Sequence, residues 1–227
     1  KKKYKLISDR VQGFFSAKIE DMQSFVYYLE ITLMDGTKKK MVDPYAFEPV
    51  IDPIDISKFN DGIHYEIYEK LGAHPCTLDG VKGVLFAVWA PHAQSVSVVG
   101  NFNAWNGKVH MMRRIEYSGI FELFIPELAV GEIYKFEIQT KSGDTFMKPD
   151  PYANYSELRP ANASRVADLA YEWTDKEYFE KNTVAKNKMP MNIYEVHLGA
   201  FKRPKDGREF YNYREIAKEI AEYVTEM

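Results

Sequence analysis

The sequence predicts a mainly β chain: a β-sandwich through the middle of its 227 residues, then a switch to one strand and one helix near the end. Two observations carry the sandwich. Four short β-prone runs, Gly83 to Trp89, Ser95 to Val99, Phe121 to Ile125 and Tyr134 to Gln139, are separated by turn-forming residues at sandwich-like spacings. In the last run Tyr134, Phe136 and Ile138 alternate with Lys135 and Glu137, so the apolar members face a core and Lys135 faces solvent. A third observation carries the switch. Tyr213, Ile216, Ala217, Ile220, Ala221 and Val224 recur at helical spacing and predict an amphipathic helix from Tyr213 to Met227.

From Val11 to Val42 aromatic and β-branched residues surround an Asp35-Gly36 turn, which predicts a hairpin with one strand before it. Asp43-Pro44, Glu48-Pro49 and Asp52-Pro53 then break the chain repeatedly, so this first part is expected to be a partial sandwich or an edge packed on the next part of the chain. Residues 57–73 hold a polar turn, Asn60-Asp61-Gly62, and a short mixed segment; LGAHPCTLDG, beginning at Leu71, is expected to turn as well. Asp150-Pro151-Tyr152 is expected to end a strand rigidly, with Tyr152 and Tyr155 packed at the border of the sandwich. After Asp168 come a charged, helical or irregular stretch (DKEYFEKN), a linker-like AKNKMPMN, and an expected strand from Asn192 to Gly199. One strand and one helix cannot cover each other's apolar faces and also satisfy the strand's edges, so this pair is expected to open something larger. The expected parts are residues 1–55, 56–185 and 186–227.

Several functions are disfavoured. A net charge of −3 with only short lysine clusters gives no concentrated basic face for nucleic acid. No apolar run is long enough to cross a bilayer, no leader-like segment opens the chain, and the single cysteine, Cys76, cannot pair internally, so the expected address is cytoplasmic. His64, His74, His92, His110 and His197 have no partner at ligand spacing, so no metal and no other cofactor is expected. Neither a nucleophile elbow nor a phosphate cradle is present, and with 33 acidic residues a carboxylate pair cannot be chosen by counting. Glu195 and His197, on one face of the expected strand, are expected to be structural.

One segment stands out as a contact surface. In VVGNFNAWNG, residues 98–107, a β run ends in a turn that sets Trp105 among asparagines and glycines. A flat ring there, with amides and a lysine nearby, suits a neutral polyhydroxyl ligand; it equally suits filling the edge of the sandwich. The local pattern leaves both open.

The ordered blocks LGAHPCTLDGVKGVLFAVWAPHAQSVSVVGNFNAWNG, YKFEI, MKPDPYANYSELRPANAS and MNIYEVHLGAF resemble the N-terminal portion of bacterial glycogen branching enzymes, from about Asp43 to the end. The resemblance implies an immunoglobulin-like family-48 carbohydrate-binding module, preceded by part of another sandwich and followed by the first β/α unit of an α-amylase-superfamily (TIM) barrel. Such enzymes cleave α-1,4 glucan, hold the fragment covalently and transfer it to a 6-hydroxyl. Their nucleophile and acid come from later barrel strands, so no catalytic residue is expected in this chain, which alone is expected to be inactive. The implied partners are α-glucan (glycogen, malto-oligosaccharides) and the missing barrel. By similarity the glucan residues are Trp105 as the stacking ring, Asn103 beside it, Lys135, a second aromatic at Phe146, and Leu158 and Asn162. Two other readings compete: a free-standing glycogen-binding regulatory module, and a scaffold for protein contacts.

Overall fold

The computed structural model describes residues 3–11, 13–20, 27–181, 190 and 192–227. They fall into two compact units, Lys1–Tyr171 and Glu172–Met227.

The first unit opens with two small antiparallel pairs. Strand β1 (Ile7–Ser8) pairs with β2 (Phe15–Ser16), and β3 (Tyr28–Thr32) pairs with β4 (Lys38–Val42). The second pair is the expected hairpin. Gly36 takes φ +82° and the Asp35 carboxylate accepts from the Thr37 N–H at 2.8 Å, closing the turn. Two of the three X-Pro breaks after it start helical turns. Asp43 caps a 3-10 turn at Pro44–Ala46, and Asp52 caps helix α1 (Pro53–Asn60), accepting from the Ile54 and Asp55 N–H groups at 2.7 and 2.8 Å. A proline at the first helical position loses no hydrogen bond, which is why Asp-Pro begins a helix at this point.

The sandwich consists of two antiparallel sheets. One runs in the order β5 (Gly72–Leu78), β6 (Val81–Trp89), β9 (Ile120–Pro126), β8 (Arg113–Ile115). The other is built on β10 (Ile133–Thr140), which pairs with β7 (Ala93–Gly100) and also with β11 (Thr145–Lys148) and β12 (Ser164–Arg165). All four expected β runs are strands. Between the sheets Val96 and Val98, Tyr134 and Phe136, Val84, Phe86 and Val88, and Phe121, Leu123 and Ile125 form one core cluster. The expected turn LGAHPCTLDG is corrected: Gly72–Leu78 is strand β5, pairing with β6 along its length. It survives Pro75 because β5 is an edge strand, where a missing N–H need not cost a ladder bond.

The outer face of the β6–β9 sheet is covered too. Val42 and Phe47 pack with Leu85 and Phe124, and Ile51 and Leu71 pack with Ala87 and Ile120. Glu122, only 5% exposed, accepts from the Val50 and Ile51 N–H groups, each at 2.9 Å. Arg113 donates to the Phe47 carbonyl at 3.1 Å. The segment after β4 is thus strapped down as a third layer. At its far end Asp55 meets His64 at 2.9 Å and Lys70 at 3.0 Å. Burial pushes the Asp55 carboxyl up, but the bonds from His64, Lys70 and the Asp52 N–H outweigh it and hold the carboxyl below its usual range.

In the second unit the helix α2 (Lys176–Lys181) lies in the stretch expected to be helical or irregular, and most of AKNKMPMN lies outside the described residues. The expected strand Asn192–Gly199 does not form. Residues 192–197 join no ladder, and Leu198–Phe201 turn as α3. A strand exists only by hydrogen bonding to a neighbour, and among the described residues of this unit none is offered. Helix α4 (Tyr213–Glu226) forms as expected, with Asn212 and Glu215 in a reciprocal capping box and Arg208 bridging Asp206 and Glu215. Its apolar stripe is only partly covered within the unit: Ile216 is buried, whereas Tyr213 and Val224 are exposed.

Among the described residues no helix is long and apolar enough to cross a membrane.

Glu122→Ala leaves one buried and one part-buried N–H group without an acceptor and should cost about 2–4 kcal/mol. Hydrogen exchange should show the Val50 and Ile51 amides losing protection before those of β6. Because the Asp55 carboxyl sits below its unfolded value, its stabilisation is complete above about pH 4 and disappears as pH falls through the folded value. Thermal melts from pH 6 to pH 3 should therefore fall more steeply for the wild type than for Asp55→Asn.

Candidate functional site

The outer face of the β7–β10–β11 sheet holds the candidate site, and strand alternation decides which residues reach it. Directly opposed residues share a face. Lys135 opposes Val99, Glu137 opposes Ser97 and Met147, and Gln139 opposes Ser95 and Thr145, so these residues lie on the side away from the core. The loop after β7 folds back over that side. Gly107 sits so close to β10 that a Cβ there would fall on the Glu137 carboxyl, 2.5 Å from its carbon.

The loop is internally braced. The Asn103 side chain accepts from the Gly100 N–H at 3.0 Å, donates to the Val98 carbonyl at 2.8 Å and meets His110 Nδ1 at 3.0 Å. The Trp105 N–H donates to the Gly100 carbonyl, and its indole N–H donates to Asn101 Oδ1, both at 2.9 Å. Ala104 and Trp105 have φ of +53° and +58°, a left-handed backbone that costs free energy in residues with a Cβ. The half-buried indole is thus fixed by hydrogen bonds at both its backbone and its ring.

On the same sheet face, Lys135 Nζ donates to Asn162 Oδ1 at 2.6 Å. The two are brought together by the core side of the same strands. Tyr134 donates to Asp150 Oδ2 at 2.6 Å, the Asp150 N–H donates to Ser164 Oγ at 2.8 Å, and Tyr134 opposes Ser164 in the β10–β12 pair. Burial raises the Asp150 carboxyl above its usual range, opposed by the Tyr134 hydroxyl, the Tyr152 N–H and His74. Asn162 stands at the end of a loop closed by the Glu157 N–H to the Ala163 carbonyl at 2.9 Å and by the Ala163 N–H to the Glu157 carboxylate at 3.0 Å. Asp150-Pro151-Tyr152 lies just beyond β11, and the half-buried Tyr152 packs beside Ile51 and Leu71; Tyr155 is exposed.

Lys135 and Asn162, two of the residues named by the resemblance, are in contact with each other, and the Trp105 loop lies over the same sheet face. Asn103 is nearby but 8% exposed, with its amide committed to the loop. Phe146 opposes Ile138, so it lies on the other side of β11 from Lys135, and Met147 is the residue that shares the Lys135 side. A slip of one residue in a strand reverses the face. Leu158 is 88% exposed in the loop that carries Asn162. Sequence reasoning did not single out Glu137 or Met147, although the position of Glu137 two residues after Lys135 already placed those two on one side. Among the described residues no cluster of His, Cys, Asp and Glu could hold a metal ion.

Burial pushes the His110 imidazole below its ordinary value, and its Nδ1 serves as acceptor for the Asn103 amide. Since the folded value lies below the unfolded one, the unfolded chain binds more protons below about pH 6.5, and the stability this group confers is lost as pH falls. Between pH 7.5 and pH 5.5 the indole fluorescence and melting temperature of the wild type should change more than those of His110→Gln.

Residues 70–153 match the family model described as Carbohydrate-binding module 48 (Isoamylase N-terminal domain). Over 188 residues, 82% of this chain and 26% of the relative, the chain is 50% identical to a 1,4-alpha-glucan branching enzyme of Protochlamydia amoebophila. It is 49% identical over 190 residues to one from Gloeobacter violaceus, covering 82% of the chain and 26% of the relative. With one from Synechococcus elongatus, identity is 41% over 240 residues, 94% of the chain and 31% of the relative. The chain thus spans about a quarter to a third of the length of these curated relatives. Among solved structures, PulA from Klebsiella oxytoca is similar at a TM-score of 0.36 and 30% identity over 46% of this chain and 10% of that one.

Proposed function

We propose that this chain is the N-terminal part of a 1,4-alpha-glucan branching enzyme, and that the outer face of its β7–β10–β11 sheet holds α-glucan. The observation that carries the binding role is the meeting of Lys135 with Asn162, 27 residues apart in sequence, on the face crossed by the Trp105 loop. The similarity to branching enzymes supports the wider reading. Trp105 supplies an apolar ring face already fixed in position, so stacking on a hexose costs little further ordering. Lys135 has two donors beyond the one given to Asn162, and the Asn162 amide keeps donors of its own for ring hydroxyls. Asn103 acts through the loop rather than on the sugar, and Met147 rather than Phe146 continues the platform on β11.

In the whole enzyme this face would hold the polymer while α-1,4 bonds are cleaved and α-1,6 branches formed by a barrel whose nucleophile and acid sit on later strands. Residues 186–227 would contribute the opening of that barrel, residues 56–185 the carbohydrate-binding module, and residues 1–55 part of a preceding sandwich. An enzyme of stored glucan would work in the cytoplasm. This chain alone should show no glucan transfer.

Titration of the chain with maltoheptaose, followed by tryptophan fluorescence and calorimetry, tests the binding role. Trp105→Ala should weaken binding by about 2 kcal/mol, roughly thirtyfold. Lys135→Ala should weaken it by about tenfold. Equal affinity of wild type and Trp105→Ala would overturn the proposal.

A further inference from the structure

Glu137 is the side chain of this face that the proposed binding role leaves unused. It lies two residues from Lys135 on the same side of β10, between Ser97 and Met147. Ser97 is buried and Met147 is 47% exposed, so Glu137 stands at the boundary between the covered and the open part of the sheet. Its carboxyl occupies the notch left by the absent side chain of Gly107, two residues along the loop from Trp105. Lys135, the nearest cation along the strand, gives its hydrogen bond to Asn162 instead. Among the described residues neither an ion pair nor a hydrogen bond engages the Glu137 carboxylate. A half-buried carboxylate with unused acceptor capacity lacks part of its hydration and gains most from donors that arrive with a ligand.

We propose that Glu137 is a further ligand-contacting residue of the glucan face, its carboxylate accepting hydrogen bonds from a pair of neighbouring sugar hydroxyls, and that Gly107 is the positioning residue that keeps this carboxylate in place. The inference rests on the binding role of the β7–β10–β11 face. The two carboxylate oxygens match a vicinal diol in spacing, and both accept. Lys135 and Asn162 donate on one side and Glu137 accepts on the other, so the face supplies both halves of the hydrogen bonding that a hydroxyl, donor and acceptor at once, requires. Gly107 serves by being small. Its φ lies outside the left-handed region, so alanine is conformationally acceptable there, but the new Cβ would take the space of the carboxyl.

Calorimetric titration of the full chain with maltoheptaose tests this, with melting temperatures measured in parallel. Glu137→Gln should bind about tenfold more weakly at an unchanged melting temperature. Gly107→Ala should weaken binding to a similar extent, and should do nothing further in a Glu137→Ala background, where no carboxyl remains to displace. Wild-type affinity in Glu137→Gln, with binding lost in Trp105→Ala, would overturn the role of Glu137 and leave the binding face intact. Affinity losses that track losses of melting temperature across the variants would assign Glu137 to holding the loop, which overturns the inference as well. Absence of binding by the wild type would overturn both proposals.

Discussion

Pairing of β10 on both edges is the constraint on which the rest of the sandwich depends. One edge is held by β7 from Gly100 to Ala93, and the other first by β12 and then by β11. A strand bonded along both edges cannot slip, and because side chains alternate, its register settles two surfaces at once. Tyr134 and Phe136 are driven into the core, 0% and 1% exposed, and Lys135 and Glu137 are thereby committed to the opposite side. The buried hydrogen bonds of Tyr134, Asp150 and Ser164 tie the partner strands to that register, and their effect on the outer side is to bring Asn162 to Lys135. Core and candidate site are two faces of one hydrogen-bonded ladder.

The legible parts of the sequence were those where a local pattern had a local cause. Alternation in YKFEI, the Asp-Gly turn of the first hairpin and the helical spacing from Tyr213 each correspond to an element in place. Lys135 and Asn162 are named as site residues only by family resemblance, and the contact between them across 27 residues is announced by neither neighbourhood. Failures occurred where the cause was distant or where parity mattered. LGAHPCTLDG reads as a turn when taken alone, and only the ladder to β6 makes Gly72–Leu78 a strand, whose edge position tolerates Pro75. Phe146 is named by family resemblance, and the face it takes is set by register. The segment 192–197 had a strand's composition with no neighbour to pair with among the described residues of its unit.

GVLFAVW and IFELFIP are nearly continuous apolar runs rather than alternating ones, and such runs belong to strands covered on both faces. The structure supplies the second cover in the segment from Val42 to Leu71. The single charge in those runs, Glu122, faces that cover and accepts the backbone N–H groups of Val50 and Ile51. On the opposite side Ser97 and Val99 of β7 are buried as well, and the face opens only towards β10 and β11.

The open side carries one of the places where the backbone is strained; Asp79, Glu116 and Glu127 also hold positive φ, in turns of the β5–β6–β9–β8 sheet. Two consecutive residues with side chains, Ala104 and Trp105, hold a left-handed backbone within a loop otherwise rich in asparagine and glycine, residues that would adopt it at lower cost. A loop selected for stability alone would place glycine at these two positions. Instead the strain is held by Asn103 and Asn101 from within the loop and by the core strand at Val98 and Gly100. The large ring set by this conformation is only half-buried, so it does not recover the strain as core packing. Under the glucan-binding role proposed for this face, that conformation is what holds the Trp105 ring ready for a ligand.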